Sequence, residues 1–154
     1  MTGHLMRVRL AYVLIAVWAC SALGCGSSGP EKFPVIGTVT VNGKPAPLVR
    51  VQFRHADQSL PGNLKTPVGM TDESGTFHLS TTGDKDGAVA GEYTVTFEWM
   101  SGNDLGAWDK LGGKFAKPET STFKVRVDPK ANALPPFEIT VPEAAIVTRP
   151  SRPQ

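Results

Sequence analysis

Apolar side chains recur at every second position along most of this chain. Val49, Val51 and Phe53 alternate with polar residues, and the same period of two returns in several further segments. A β-strand points successive side chains to opposite faces of its sheet, so this spacing is typical of strands with one buried and one solvated face. The pattern predicts seven short strands, over residues 35–41, 49–53, 70–71, 76–79, 91–99, 123–127 and 137–141.

Residues that favour turns separate these segments. Asn42-Gly43 suits a tight turn with positive φ, and residues 72–75 have aspartate at the first turn position and glycine at the last. After residue 25, the longest stretch without Gly or Pro is 48–60, which begins with a period of two rather than 3.6. We therefore predict an all-β sandwich, with the first strand covered on both faces.

The alternation also assigns individual residues to the two sides of each strand. Inward positions should form one hydrophobic core, and the positions between them should face water. Predicted inside are Phe53, Phe97, Val125 and Ile139, and predicted outside are Arg50, Thr96, Lys124 and Glu138.

The N-terminus has the organisation of an export signal. Arg7 and Arg9 form a short basic region, and residues 10–23 are uncharged and mostly apolar. That run is shorter than the roughly 20 residues that a membrane-spanning helix needs. It ends in Ser21-Ala22-Leu23-Gly24-Cys25, which resembles a bacterial lipoprotein signal. We predict a cleaved signal peptide over residues 1–24 and a lipid on Cys25.

The predicted anchor has one alternative site. Cys20 is also preceded by small and apolar residues, but Trp18 beside the cut is bulky. Acyl chains worth about 0.8 kcal/mol per buried methylene would hold the protein on a membrane. Residues 25–32 are then a flexible tether. Because Gly26 rather than aspartate follows the cysteine, lipoprotein sorting favours the outer membrane, with the domain facing the periplasm or the cell exterior.

Charge and cysteine usage exclude two classes of protein. The chain has 16 basic and 14 acidic residues, and two of the basic ones, Arg7 and Arg9, belong to the leader. The balanced remainder gives no electrostatic reason to bind nucleic acid. Both cysteines lie within the first 25 residues, so a domain stapled by disulfides is not expected.

Short motifs follow one another in a set order: Val35-x-Gly37-x-Val39-x-Val41-x-Gly43-x-Pro45, Val49-x-Val51-x-Phe53, Thr71-Asp72-x-x-Gly75-x-Phe77 and Gly91-x-Tyr93-x-Val95. This order resembles the carboxypeptidase regulatory-like, transthyretin-like domain family. A later segment, Gly113-Lys114-Phe115 with Thr120-Ser121-x-Phe123-x-Val125-x-Val127, is similar to small lipoproteins of planctomycete-type bacteria that carry this domain. The resemblance implies a seven-stranded prealbumin-like sandwich over residues 33–141, usually a non-catalytic accessory or binding module.

The residues after the leader offer little for catalysis. No thiol follows Cys25, which excludes a cysteine nucleophile if that residue is acylated. His78 with Asp72 and Ser74 could form a serine triad, but His78 is expected on a solvated face and no Gly-x-Ser-x-Gly elbow is present. The C-terminus also lacks the Tyr-Arg-Gly-Ser motif of transthyretin-like hydrolases. We expect no enzymatic activity.

Two acidic or histidine-containing segments were considered as metal sites. Asp84-Lys85-Asp86-Gly87 looks like half a calcium loop, but Thr96 stands where a bidentate glutamate is needed. His55 with Asp57 supplies only two ligands, too few for zinc. A solvated hairpin turn explains residues 84–87, and neither a metal nor a cofactor is predicted.

The most distinctive segment is the insertion after the fifth predicted strand. Residues 100–115 are more than a hairpin needs, and they contain an aromatic residue among polar ones. Trp108 could provide an apolar platform flanked by the hydrogen-bonding groups of Asn103, Asp104 and Asp109, as in a carbohydrate or peptide contact. The alternative is that Trp108 folds back and caps the sandwich.

These observations predict a lipid-anchored, non-catalytic β-sandwich of the cell envelope that binds a protein or a glycan. A purely structural spacer is the alternative, and a hydrolase of the transthyretin-like fold is the less favoured one. Residues 142–154 carry three prolines and no alternation, so they are predicted to be a disordered tail.

Overall fold

The computed structural model describes residues 29–148. The predicted signal peptide and Cys25 lie outside this range, as do residues 149–154. The elements are β1 (Lys32–Phe33), β2 (Val35–Val41), β3 (Lys44–Pro45), β4 (Val49–His55), α1 (Gly62–Lys65), β5 (Val68–Met70), β6 (Thr76–His78), β7 (Ala88–Val89), β8 (Gly91–Trp99), β9 (Lys124–Val127), β10 (Asn132–Ala133) and β11 (Phe137–Ile139), with 3-10 helices at Pro118–Thr120 and Glu143–Ala145.

The strands form two main sheets and a small ribbon. In the first sheet β2 is central, parallel to β10 and β11 on one side and antiparallel to β3 and β6 on the other. The second sheet is antiparallel throughout, in the order β5-β4-β8-β9, and β1 pairs with β7 as the ribbon. The all-β sandwich prediction is confirmed, and the seven longest strands correspond to the seven predicted ones.

The hydrophobic core lies between the two sheets. Phe53 of β4 and Phe97 of β8 are fully buried, and their rings contact Phe77 and Phe137 of the first sheet at centroid distances of 6.3 and 5.3 Å. Aromatic rings at these distances add to the stability gained from burial. The inward residues predicted by alternation at positions 53, 97 and 139 are therefore in the core, whereas Val125 is half-buried at its edge.

Two expectations from the alternation are wrong. Thr96, predicted to face water, is 4% exposed, and its hydroxyl donates to the Gln52 carbonyl oxygen at 3.4 Å. It lies on β8, an inner strand that pairs with both β4 and β9. The first predicted strand is buried on one face only, because Ile36 on its outer side is 38% exposed.

The third and fourth predicted strands do not form a simple hairpin within one sheet. β5 pairs with β4 in the second sheet, and β6 pairs with β2 in the first. The turn between them therefore carries the chain from one sheet to the other. It is held by Asp72, whose backbone N–H donates to the Thr76 carbonyl oxygen at 2.9 Å.

Ordered structure extends beyond the predicted domain at both ends. Lys32, assigned to the tether, pairs with Val89 and lies 2.7 Å from an Asp86 carboxylate oxygen. Glu143–Ala145, assigned to the tail, forms a 3-10 helix, and Ile146 packs partly against the core. The alternation could not find these segments, because each element is only two or three residues long.

The two ends of the sandwich are built from different segments. The β1 end comprises β1, β7 and residues 55–65, which follow the end of β4. The loop end comprises the Asn42-Gly43 turn, residues 100–115 and residues 142–147. Both Asn42 and Gly43 have positive φ, which the short side chain of one and the absence of a side chain in the other allow. Among the described residues, none belongs to a helix long and apolar enough to span a membrane.

Candidate functional site

The loop at residues 100–115 is organised by one carboxylate. Asp109 accepts hydrogen bonds from the backbone N–H groups of Trp99, Leu111 and Gly113 at 2.8, 2.9 and 2.7 Å. A β-bridge between Met100 and Asp109 closes the loop at its base. Asp109, predicted as a ligand-binding residue, therefore uses both carboxylate oxygens to hold the loop.

Trp108 is half-buried and hydrogen-bonded at its polar edge. Its Nε1 donates to the Val147 carbonyl oxygen at 3.0 Å, and its backbone N–H donates to Ser101 Oγ at 3.1 Å. The bond to Val147 connects the loop to the C-terminal segment, and the bond to Ser101 lies within the loop. The Trp108 ring is therefore partly packed against the domain and partly accessible to solvent. These are the features expected of a cap and of a binding platform, respectively.

The other two predicted ligand-binding residues lie at the exposed tip of the loop. Asn103 and Asp104 are exposed, and Asp104 Oδ1 accepts a hydrogen bond from the Gly106 N–H at 2.7 Å. Between them and Trp108 stands Leu105, which is fully exposed. Trp108 forms its hydrogen bonds with Ser101 and Val147, and not with Asn103 or Asp104. The four predicted site residues therefore do not form one hydrogen-bonded cluster.

A cavity of about 200 Å³ opens beside this loop. Trp99, at the end of β8, is its aromatic wall, and the Trp99 Nε1 donates to the Pro47 carbonyl oxygen at 3.0 Å. The Lys110 ammonium lies 3.3 Å from the centroid of the Trp99 ring, and burial lowers the pKa of this amine. The cavity is lined by Val41, Asn42, Lys44, Pro45, Trp99, Glu143 and Ile146.

The polar wall of the cavity is held by Asn42. Its Oδ1 accepts a hydrogen bond from the Val141 N–H at 2.9 Å, and its Nδ2 donates to Glu143 Oε1 at 3.1 Å. Sequence reasoning missed this site, because it treated Asn42 as a turn residue, Trp99 as a core residue and Glu143 as part of the tail. The only signal was that Trp99 ends its strand and opens the long loop.

The residues considered for a serine triad have other partners. Ser74 Oγ donates to Asp72 Oδ1 at 2.6 Å, and the same oxygen accepts from the Thr76 N–H at 3.0 Å. The hydrogen bond from Ser74, with that from Thr76, lowers the pKa of Asp72. His78 is exposed on the outer side of β6, where the sequence placed it. Asp72 and Ser74 therefore stabilise a turn, as aspartate and serine commonly do.

His55 is a buried residue of the β1 end. Its Nδ1 accepts a hydrogen bond from the Asp57 N–H at 2.9 Å, and its ring lies 4.7 Å from the ring of Tyr93. A Cβ on Gly91 would approach His55 Nε2 to 2.2 Å, so the glycine makes room for the imidazole. Asp57 accepts hydrogen bonds from Ser59. Within residues 29–148 no three metal-ligating side chains come together.

In the segment at residues 84–87, which resembles half a calcium loop, the Asp86 carboxylate bonds to neighbouring groups of the protein. Asp86 accepts hydrogen bonds from the N–H groups of Thr81, Thr82 and Gly83 at 2.6, 3.1 and 2.9 Å, and it pairs with Lys32. Burial by itself raises the pKa of Asp86, but Lys32 and these donors outweigh it and hold that pKa well below its ordinary range. The carboxylate therefore connects β1 to the segment before β7.

Two other concave regions differ from the loop-end cavity in their chemistry. One, of about 220 Å³, lies near His55 and Glu119 at the β1 end. The other, of about 280 Å³, lies between β9 and the Pro135-Pro136 segment, where Lys124 and Arg126 flank a sheet edge. Charged residues and prolines protect strand edges against pairing. Of the three cavities, the one at the loop end contains a tryptophan ring.

Comparison with known proteins finds no matching family model and no matching curated protein. Among solved structures, the chain is similar to a DUF3823 family protein from Parabacteroides merdae, with 16% identity, a TM-score of 0.39, and coverage of 73% of this chain and 46% of that one. It is also similar to a 9R-lipoxygenase from Cyanothece, with 12% identity, a TM-score of 0.36, and coverage of 85% and 20%. The chain spans less than half the length of either protein, so its functional assignment depends on its own residues.

Proposed function

We propose that this chain is a lipid-anchored, non-catalytic module of the cell envelope that presents its loop end to a protein or glycan partner. The observation that carries the proposal is the separation of the two ends. The chain enters the sandwich at Lys32–Phe33, and β2 then runs its full seven residues to Val41, which lines the Trp99 cavity. An anchor that precedes β1 would therefore leave the loop end accessible to a partner.

The anchor itself is proposed from the sequence. The basic and apolar leader followed by Ala22-Leu23-Gly24-Cys25 supports lipidation of Cys25. Gly26 after the cysteine supports the outer membrane, with the domain facing the periplasm or the cell exterior. The seven longest strands, arranged as a sandwich, are consistent with a carboxypeptidase regulatory-like domain, which is the family we propose.

A non-catalytic role is supported by what the candidate catalytic residues do. Ser74 and Asp72 are hydrogen-bonded to each other within a turn, and His78 is exposed on the outer side of β6. A serine nucleophile needs to donate its hydroxyl hydrogen to a histidine, whereas the Ser74 hydroxyl donates to the Asp72 carboxylate.

A structural spacer is the second candidate, favoured by the loop itself. The Asp109 carboxylate accepts three backbone N–H groups, and the Trp108 indole donates to Val147. A loop that uses its polar groups internally could simply complete the end of a rigid domain.

Fractionation of cells tests the anchor. Cys25→Ala should abolish labelling by a fatty-acid probe and release the protein from the membrane fraction. Cys20→Ala is the matched control and should leave both unchanged. Undiminished labelling of the Cys25 variant would contradict the proposed anchor.

Photo-cross-linking in intact cells separates a binding module from a spacer. A photoreactive amino acid is placed at Leu105 on the loop end or at Gln58 on the β1 end, both of which are exposed. A binding module should give discrete adducts from Leu105 and not from Gln58. The same weak, heterogeneous adducts from both positions would favour the spacer.

A further inference from the structure

The lining of the loop-end cavity combines an aromatic side chain with both kinds of hydrogen-bonding group. Trp99 provides the ring, Lys44 an ammonium that only donates, and Glu143 a carboxylate that only accepts. From this combination we propose that the cavity binds one pyranose ring of a neutral saccharide, stacked on the Trp99 indole. The inference rests on the proposed function, in which the loop end is the recognition surface.

The size of the cavity limits the ligand to a small group. Pockets for cofactors and drug-sized molecules generally measure about 300–1,000 Å³. At about 200 Å³, this cavity accommodates one ring of a longer chain and leaves the rest of the ligand in solvent. The end of a polysaccharide or glycan can bind in this way, because its rings are joined by single bonds and the terminal ring can enter the cavity alone.

The hydrogen-bonding groups favour hydroxyls over charged ligands. Lys44 and Glu143 are of opposite charge and line the cavity, and the Lys110 ammonium lies over the Trp99 ring without lining the cavity, so the charged groups that a ligand would contact balance each other. A sugar hydroxyl both donates and accepts, so adjacent hydroxyls can satisfy the two side chains at once. The C–H groups on the face of the same ring suit an aromatic platform, which is apolar over its surface.

The wall of the cavity is held by contacts within the domain. The Trp99 indole is held at one edge by the Pro47 carbonyl oxygen at 3.0 Å and has the Lys110 ammonium over its ring. Asn42 holds Glu143 in place by a hydrogen bond of 3.1 Å. A binding site that needs little reordering loses less conformational entropy when the ligand arrives, which favours binding of a small contact area.

Tryptophan indole signals provide a direct test. The full chain is purified in a detergent without a sugar head group and titrated with neutral oligosaccharides of glucose, galactose, mannose and N-acetylglucosamine, and with an oligosaccharide of uronic acid. After cleavage of the leader the chain retains two tryptophans, Trp99 and Trp108, and Trp108→Phe assigns their indole N–H signals. We expect a saturable shift of the Trp99 signal with at least one neutral oligosaccharide and a much smaller response to the acidic one.

Variants of exposed residues keep the test independent of folding. Lys44→Ala and Glu143→Ala change exposed side chains, and each should weaken binding by roughly tenfold, as loss of an important contact does. Lys124→Ala, a change at an exposed lysine of β9 outside the cavity, should bind with unchanged affinity. Trp99→Ala should abolish binding, with the far-ultraviolet spectrum and urea midpoint reporting whether the sandwich is intact.

Three results would overturn the inference: no response to any neutral oligosaccharide, a response confined to Trp108, or unchanged affinity in both exposed variants. Photo-cross-linking from Leu105 shows whether such a result contradicts only the saccharide inference or also the proposed binding function. Discrete protein adducts without saccharide binding would support a protein-binding module and contradict the proposed glycan ligand. Absence of both would remove the binding function altogether.

Discussion

The two ends of this sandwich use their polar and aromatic residues in different ways. At the β1 end, Asp86 accepts three backbone N–H groups and pairs with Lys32, while the Tyr93 hydroxyl donates to the Val89 carbonyl oxygen at 2.8 Å. At the loop end, Trp99 borders an open cavity and Leu105 is fully exposed. Buried polar groups need partners to offset the loss of water, and Asp86 and Tyr93 find theirs within the β1 end. The loop end retains surface with which a partner could interact.

The largest expected effect concerns the core that both ends share. Phe97→Ala should lower the free energy of unfolding by about 3–5 kcal/mol, because it removes a fully buried ring between the sheets. Thr96→Ala, the neighbouring control, should cost about 1 kcal/mol, because Thr96 is buried but loses only a methyl group and one long hydrogen bond. Urea titration of both variants measures the difference. Equal losses would mean that the strand register is shifted by one residue.

At the β1 end, Asp86→Ala should lower the free energy of unfolding by about 2–3 kcal/mol. The substitution leaves several backbone N–H groups without their acceptor and releases Lys32. Hydrogen exchange should accelerate at Phe33 and Val89 and stay unchanged at residues 100–115. Glu31→Ala is an exposed control. Faster exchange spread over the whole domain would contradict a local role.

Acid should weaken the β1 end through the same carboxylate. The folded-state pKa of Asp86 lies below its ordinary value of 3.8, so the unfolded chain binds a proton first as the pH falls. Its stabilising effect is therefore complete above about pH 5 and is lost progressively as the pH falls below about 4 toward the folded pKa. Asp86→Asn should be less stable than the parent at pH 7, and the two should converge in acid. A constant difference between pH 7 and pH 2 would contradict this account.

The packing part of the loop end should show a moderate effect. Trp108→Ala should lower the free energy of unfolding by about 1–2 kcal/mol, or the melting temperature by roughly 4–8 °C, since the ring is half-buried and its Nε1 bonds to Val147. Trp108→Phe retains the ring and should lose less. Thermal melts of both variants measure this. An unchanged melting temperature for Trp108→Ala would show that the ring is a platform with no capping role.

The smallest effect on stability is expected at the tip of the loop. Leu105→Ala should change the free energy of unfolding by less than about 0.5 kcal/mol, because the side chain is fully exposed. If Leu105 contacts a partner, the same substitution should reduce the yield of cross-links from a photoreactive residue at Asn103. Destabilisation by more than 1 kcal/mol would place Leu105 in a packed environment and weaken the contrast between the ends.

The sequence predicted the sandwich because the period-two pattern depends on local geometry, as at Val49, Val51 and Phe53. It also located the loop at 100–115 and the turn at Asn42-Gly43. It did not predict the cavity, since the hydrogen bond between Asn42 and Glu143 joins residues 101 positions apart. Contacts of this kind follow from the way that the last strands return to β2, and no local pattern reports that return.

We propose that recognition occurs at the loop end and not at the β1 end. Hydrogen–deuterium exchange of the lipid-anchored protein tests both ends at once, by comparing native envelope vesicles with detergent micelles. We expect additional protection in vesicles at residues 42–45 and 100–115, and none at residues 55–65. Protection confined to residues 55–65, or identical exchange at both ends in the two preparations, would contradict it.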